Sequence, residues 1–133
     1  MKPLIITHDT LDEAVRVNDT LVVDMWASWC VPCRRFSPIF EETAENTPGI
    51  TFATFQVDAS EENQETFDAT GFRTVPTVLA FKGGTLVTHS SGALGKADLM
   101  AVLDKLRATP SGNESADEDE PTDTGDEPAD TAA

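Results

Sequence analysis

Residues 21–27 read Leu-Val-Val-Asp-Met-Trp-Ala and lead straight into Trp29-Cys30-Val31-Pro32-Cys33-Arg34. A β-branched, almost wholly apolar run without polar alternation is what a strand covered on both faces looks like. A central strand of that kind requires helices above and below its sheet, so the chain is expected to be α/β. The segment from 31 to about 47 supplies one such helix, because Cys33, Phe36, Phe40 and Ala44 recur every three or four residues and share a stripe. Pro38 removes one backbone bond inside that helix and is expected to bend it without dividing it. Pro48-Gly49 ends it.

The remaining pattern alternates around this centre. Thr10-Leu11-Asp12-Glu13 reads as a capping box opening a short helix to about Val17, with Leu11, Ala14 and Val15 at helical spacing. Residues 51–58 read as a strand, 61–70 as an acidic helix closed by Gly71. Residues 77–81 and 85–89 flank Lys82-Gly83-Gly84, a tight hairpin turn between antiparallel strands. Leu99, Val102, Leu103 and Leu106 fall on one face of a closing helix over 96–107. The order is β, α, β, α, β, α, β, β, α, with no internal repeat.

At 133 residues the chain fits one domain, expected over residues 1–107. Apolar residues all but stop after Leu106, and the segment 108–133 carries nine acids and no base, so it is expected to be a disordered acidic tail. It reads as a solubilising, salt-adapted extension, with a docking tail as the alternative. The body keeps 15 acids against nine Lys and Arg, and only four lysines occur in the whole chain. Such a surface argues against nucleic acid and anionic membranes, whose recognition needs clustered cations, and suits a high-salt cytoplasm. The amino-terminal apolar run, Leu4-Ile5-Ile6, is far too short for a signal peptide or a membrane span, so a cytoplasmic protein is expected.

The chemistry sits at the strand-to-helix junction. Free amides and the helix dipole there favour negative charge, so Cys30 is expected to ionise readily and act as nucleophile. Cys33 lies one turn later on the same side, shielded, as the resolving thiol. The loop closed by two cysteines at this spacing is too short to stabilise a fold, which favours reactive over structural thiols. Zinc would need two more ligands, and His8 and His89 stand alone, both expected at the surface, so no metal or other cofactor is expected. Neither Val31 nor Pro32 adds positive charge between the sulfurs, which favours a reductant over an oxidant. Asp24, set among Leu21, Val22, Val23, Met25 and Trp26, is expected to be desolvated, with its pKa raised into the range of a general base. A buried acid that only fixes the strand is the alternative.

Residues 22–34, Val-Val-Asp-Met-Trp-Ala-Ser-Trp-Cys-Val-Pro-Cys-Arg, resemble the active-site strand and turn of the thioredoxin family. The resemblance extends through Pro38, Val75-Pro76-Thr77, Phe81-Lys82-Gly83-Gly84 and Gly92-Ala93, covering roughly residues 4–107. It implies a mixed five-stranded central sheet flanked by four helices. It further implies a cis Pro76 beside the thiols, a Val75 backbone that pairs with extended substrate, and an apolar rim of Trp29, Gly92 and Ala93. For Trp29 a place in the core is the competing reading. Asp24 matches the family's buried aspartate, which takes the proton of the second cysteine. Two positions depart from the family: Thr54 stands where a lysine near that aspartate is frequent, and Val31 where glycine is commonest. The implied partners are disulfide-containing protein substrates and a thioredoxin reductase, and the implied state is a monomer. A non-catalytic binding module of the same fold and a disulfide isomerase are the alternatives.

Overall fold

The computed structural model describes residues 2–110. The expected acidic tail, beyond its first residues, lies outside the described residues. The elements in chain order are β1 (Leu4–Ile6), α1 (Leu11–Val17), β2 (Thr20–Trp26), α2 (Val31–Glu45), β3 (Thr51–Gln56), α3 (Glu61–Ala69), β4 (Thr77–Lys82), β5 (Thr85–Ser91) and α4 (Lys96–Ala108). A 3-10 turn over Val57–Ala59 links β3 to α3.

The five strands form one sheet in the order β1-β3-β2-β4-β5. β1, β3 and β2 are mutually parallel, whereas β4 runs antiparallel to β2 and β5 antiparallel to β4. β2 is thus central, with all but its two end residues buried, as its composition requires. Successive side chains on a strand point to opposite faces, and the core divides accordingly. Val22 joins Phe36, Phe40 and Ala44 of α2 and Leu99, Val102, Leu103 and Leu106 of α4 on one face. Leu21, Val23 and Met25 join Ala14 of α1, Phe55 of β3 and Phe67 of α3 on the other. By the same alternation Asp24 and Trp26 share the face of Val22, which α2 covers. α2 continues through Pro38. No helix among the described residues is long and apolar enough to cross a membrane.

Local departures from the sequence pattern have identifiable causes. Thr10 does not cap α1: its backbone is helical (φ −114°, ψ −4°) where a capping residue needs extended geometry, and its Oγ1 accepts the amide of Thr7 at 2.9 Å. Glu13 correspondingly leans toward Arg16, 4.0 Å away, not back to the cap. At α4 only half of such a box forms, the carboxylate of Asp98 accepting the amide of Gly95 at 2.8 Å, since glycine has no side chain to return the bond. β3 stops at Gln56, two residues early, because the chain turns into the 3-10 segment there. α2 ends at Glu45, with the Asn46 side-chain amide donating to the Glu42 carbonyl at 3.0 Å.

Ser60 is a true cap of α3: its Oγ accepts the amide of Asn63 at 3.0 Å. Asn63, buried, then spends its side chain on the carbonyl of Gln56 (2.9 Å) and on the amide of His8 (2.9 Å), joining α3 to β3 and to the segment before α1. Ser60→Ala is expected to cost about 1 kcal/mol of stability. The check is a shift of the urea midpoint with unchanged slope.

Candidate active site

Cys30 is the N-cap residue of α2, with extended backbone (φ −95°, ψ 111°). Its Sγ accepts the amide of Cys33 at 3.2 Å, taking up one of the free donors of the first turn. Pro32, in that first turn, has no amide to satisfy, which suits a site where amides are otherwise unpaired. The Sγ of Cys30 also lies 3.5 Å from the carbonyl oxygen of Val75, to which the thiol can donate. The Val75–Pro76 peptide is cis. Both cysteines are free thiols.

Cys33 sits one turn along and is 1% exposed. Burial, first of all, pushes its thiol up to about 12, and the hydrogen bond with Cys30 and the charges of Cys30 and Asp24 push the same way; only the backbone of Ala27 opposes them. Asp24 is 2% exposed, and its Oδ1 is buried with no hydrogen-bond partner. Burial alone pushes its carboxyl from 3.8 to about 7. Its register partners are Thr54 on β3 and Val78 on β4, so neither neighbouring strand offers a cation directly opposite. A carboxyl at that value exchanges its proton near neutral pH, on the helix-covered face where Cys33 also lies.

Trp29 stands 70% exposed beside these thiols, whereas Trp26 is partly buried and packs against Ala27, Cys30 and Cys33. Gly92 donates its amide to the carbonyl of Pro76 at 3.1 Å with φ +105°, a conformation that favours glycine, and so brings the β5–α4 loop with exposed Ala93 to the cis peptide. Trp29 and Val75 also share the wall of a groove of about 410 Å³ with Val57, Phe67, Phe72 and Arg73. The structure therefore gathers Asp24, Trp29, Cys30, Cys33, Val75, Pro76, Gly92 and Ala93 at one end of the sheet.

Four further residues bear on this end, Ser28, Arg34, Gln56 and Asp58, none of which had a role assigned from sequence. The carboxylate of Asp58, in the 3-10 turn, takes both the amide (3.0 Å) and the hydroxyl of Ser28, and the side-chain amide of Gln56 at 3.1 Å. The Ser28 hydroxyl first, then the Ser28 amide and the Gln56 side chain, hold its carboxyl below the usual range against the opposing effect of burial. Arg34 donates to the carbonyl of Ser28 at 2.9 Å. Ser28 is thereby clamped from both sides immediately before Trp29 and Cys30. An acid just past the end of the strand beside β2 was the available signal.

The two histidines lie elsewhere. His89 is exposed, its ring 4.7 Å from that of Phe72. His8 is half-buried, against the expectation of a surface residue, because Nδ1 meets Asn63 at 3.1 Å and Nε2 meets Asp9 at 3.0 Å.

The sequence profile of the thioredoxin family matches residues 2–105. The chain belongs to the thioredoxin family. Thioredoxin of Acidithiobacillus ferridurans is 38% identical to it over 103 residues, which are 76% of this chain and 93% of that one. Thioredoxin of Alicyclobacillus acidocaldarius subsp. acidocaldarius is 37% identical over 99 residues, 74% of this chain and 91% of that one. Among solved structures, a mutant thioredoxin from Halobacterium salinarum NRC-1 superposes with a TM-score of 0.71 at 31% identity, over 82% of this chain and 94% of that one. The fold is accordingly the thioredoxin fold, and the chain is a thiol–disulfide oxidoreductase of that family.

Proposed function

We propose that the chain is a cytoplasmic, monomeric reductase of protein disulfides that works through the Cys30-Val31-Pro32-Cys33 motif and is recharged by a thioredoxin reductase. The observation that carries this reading is the sulfur of Cys30 at the head of α2, accepting an amide, with the thiol of Cys33 and the unpartnered carboxyl of Asp24 buried behind it. The amide donor and the positive end of the helix both favour negative charge on that sulfur.

The thiolate of Cys30 attacks one sulfur of a client cystine. The client S–S bond breaks, a bond between Cys30 and the client forms, and one client thiolate leaves. Asp24, as carboxylate, takes the proton of Cys33, whose thiol would otherwise hold it far above neutral pH. The Cys33 thiolate then attacks the Sγ of Cys30, releasing the second client thiolate. The client gains two electrons and the protein is left with a Cys30–Cys33 disulfide, to be reduced by the dithiol of the reductase. No cofactor enters the cycle. Trp29, Gly92 and Ala93 form the rim on which a client rests, and the backbone of Val75 pairs with its extended segment, as an added strand would.

Cys33→Ser is expected to stop the cycle at the mixed disulfide. A pull-down with this variant should retain several partners, each released by dithiothreitol. Capture of a single partner with no disulfide link would show a binding module instead.

A further inference from the structure

The body of this protein is acidic, yet its arginines are not spread evenly. Of the five, Arg16 and Arg107 stand within 4.0 Å and 3.7 Å of Glu13 and Asp104 on their own helices. Among the described residues no carboxylate lies within that distance of the other three, Arg34, Arg35 and Arg73, and all three are exposed at the thiol end. Arg34 spends one donor on the carbonyl of Ser28, next to Trp29, and a guanidinium has five. Arg73 lines the groove that Trp29 and Val75 share, two residues from the carbonyl that meets the Sγ of Cys30. Three acids lie nearby: Asp58 accepts from Ser28 and Gln56, Asp68 accepts from the side-chain amide of Gln64 at 3.0 Å, and Glu41 shares a shallow pocket with Arg34 without coming within 4.0 Å of it.

From this placement we infer that the site selects disulfides flanked by acidic side chains, Arg73 and Arg34 pairing with carboxylates beside the client cystine. The inference rests on the reductase reading and names the substrate class of that same site. The body as a whole is net negative, so arginines free of carboxylate partners at this end act on the encounter orientation of an acidic client as well as on its affinity. A guanidinium presents a planar pair of donors matched to a carboxylate, which makes contact selective by geometry and not only by charge.

The test uses three disulfide-linked peptides, identical except that the cystine is flanked by glutamate, glutamine or lysine, and compares kcat/KM for the full chain. The glutamate peptide is expected to be reduced about tenfold faster than the glutamine peptide at 20 mM salt, mainly through KM, falling to about twofold at 1 M where screening leaves only direct contacts. Arg73→Glu should erase or invert the order, and Arg73→Lys should restore only the salt-sensitive part of it, since an ammonium keeps the charge without the paired donors. Equal rates on the glutamate and glutamine peptides, or a preference for lysine, overturn the inference and leave the reductase reading intact. Failure to reduce any of the three removes the reading on which it rests.

Discussion

Cys30→Ser is expected to abolish disulfide reduction, lowering the rate at least about 10⁴-fold, because the remaining thiol cannot take over. A serine hydroxyl forms no disulfide, so only Cys33 could attack. Both cysteines are buried, Cys30 at 4% and Cys33 at 1% exposure, so the distinction lies in the thiol of Cys33, which titrates at about 12. At pH 8 that leaves a thiolate fraction on the order of 10⁻⁴. The substitution removes the hydrogen bond and charge of Cys30 but leaves burial, the largest cause of the shift. Cys33→Ser should behave in the opposite way, keeping the first attack and losing the second. Single-turnover reduction of a protein disulfide, with the adducts weighed by mass spectrometry, separates the two variants. Retention of more than about one hundredth of the activity by Cys30→Ser would mean that the order of the two thiols is reversed.

The asymmetry between these thiols is written in the chain itself, as are most of the elements. An apolar seven-residue run, a stripe of aromatic residues on a long helix and a double glycine between two apolar segments all leave local periodic traces, and each became the element its period implies. Cys30 and Cys33 were legible for the same reason: both belong to one junction. Val75, Pro76, Gly92 and Ala93 were legible only through the family resemblance, since Val75 meets Cys30 across 45 positions of sequence and no spacing rule reaches that far. Asp58 and Ser28, 30 positions apart, left no comparable mark. The capping box at Thr10 failed for a different reason. Its letters were right, but a hydroxyl can serve any nearby amide, and here the amide of Thr7 won. Local pattern names the candidates for such short polar contacts, and backbone geometry chooses among them.

Asp24→Asn is expected to stabilise the fold by roughly 4 kcal/mol at pH 8.5 while slowing the reaction. Burial lifts this carboxyl from 3.8 to about 7, and its Oδ1 finds no partner, so the charged form is what the fold tolerates poorly. The folded chain therefore keeps a proton that the unfolded chain has lost between those two values. Stability linked to Asp24 is fully present below about pH 4, falls as pH rises toward 7, and is gone above it. Asparagine has no charge to bury, so the variant should lose this dependence: indistinguishable from the parent in urea unfolding near pH 4, clearly more stable at pH 8.5. A flat difference across that range would place the carboxyl's titration elsewhere. The same substitution removes the base proposed to serve Cys33, and formation of the mixed disulfide should persist while its resolution slows. Equal slowing of both steps would assign Asp24 to holding the strand and not to moving a proton. Slower resolution alone would assign the acid, which costs the fold several kcal/mol above pH 7, to chemistry on the neighbouring sulfur, because a neutral isostere would satisfy β2 better.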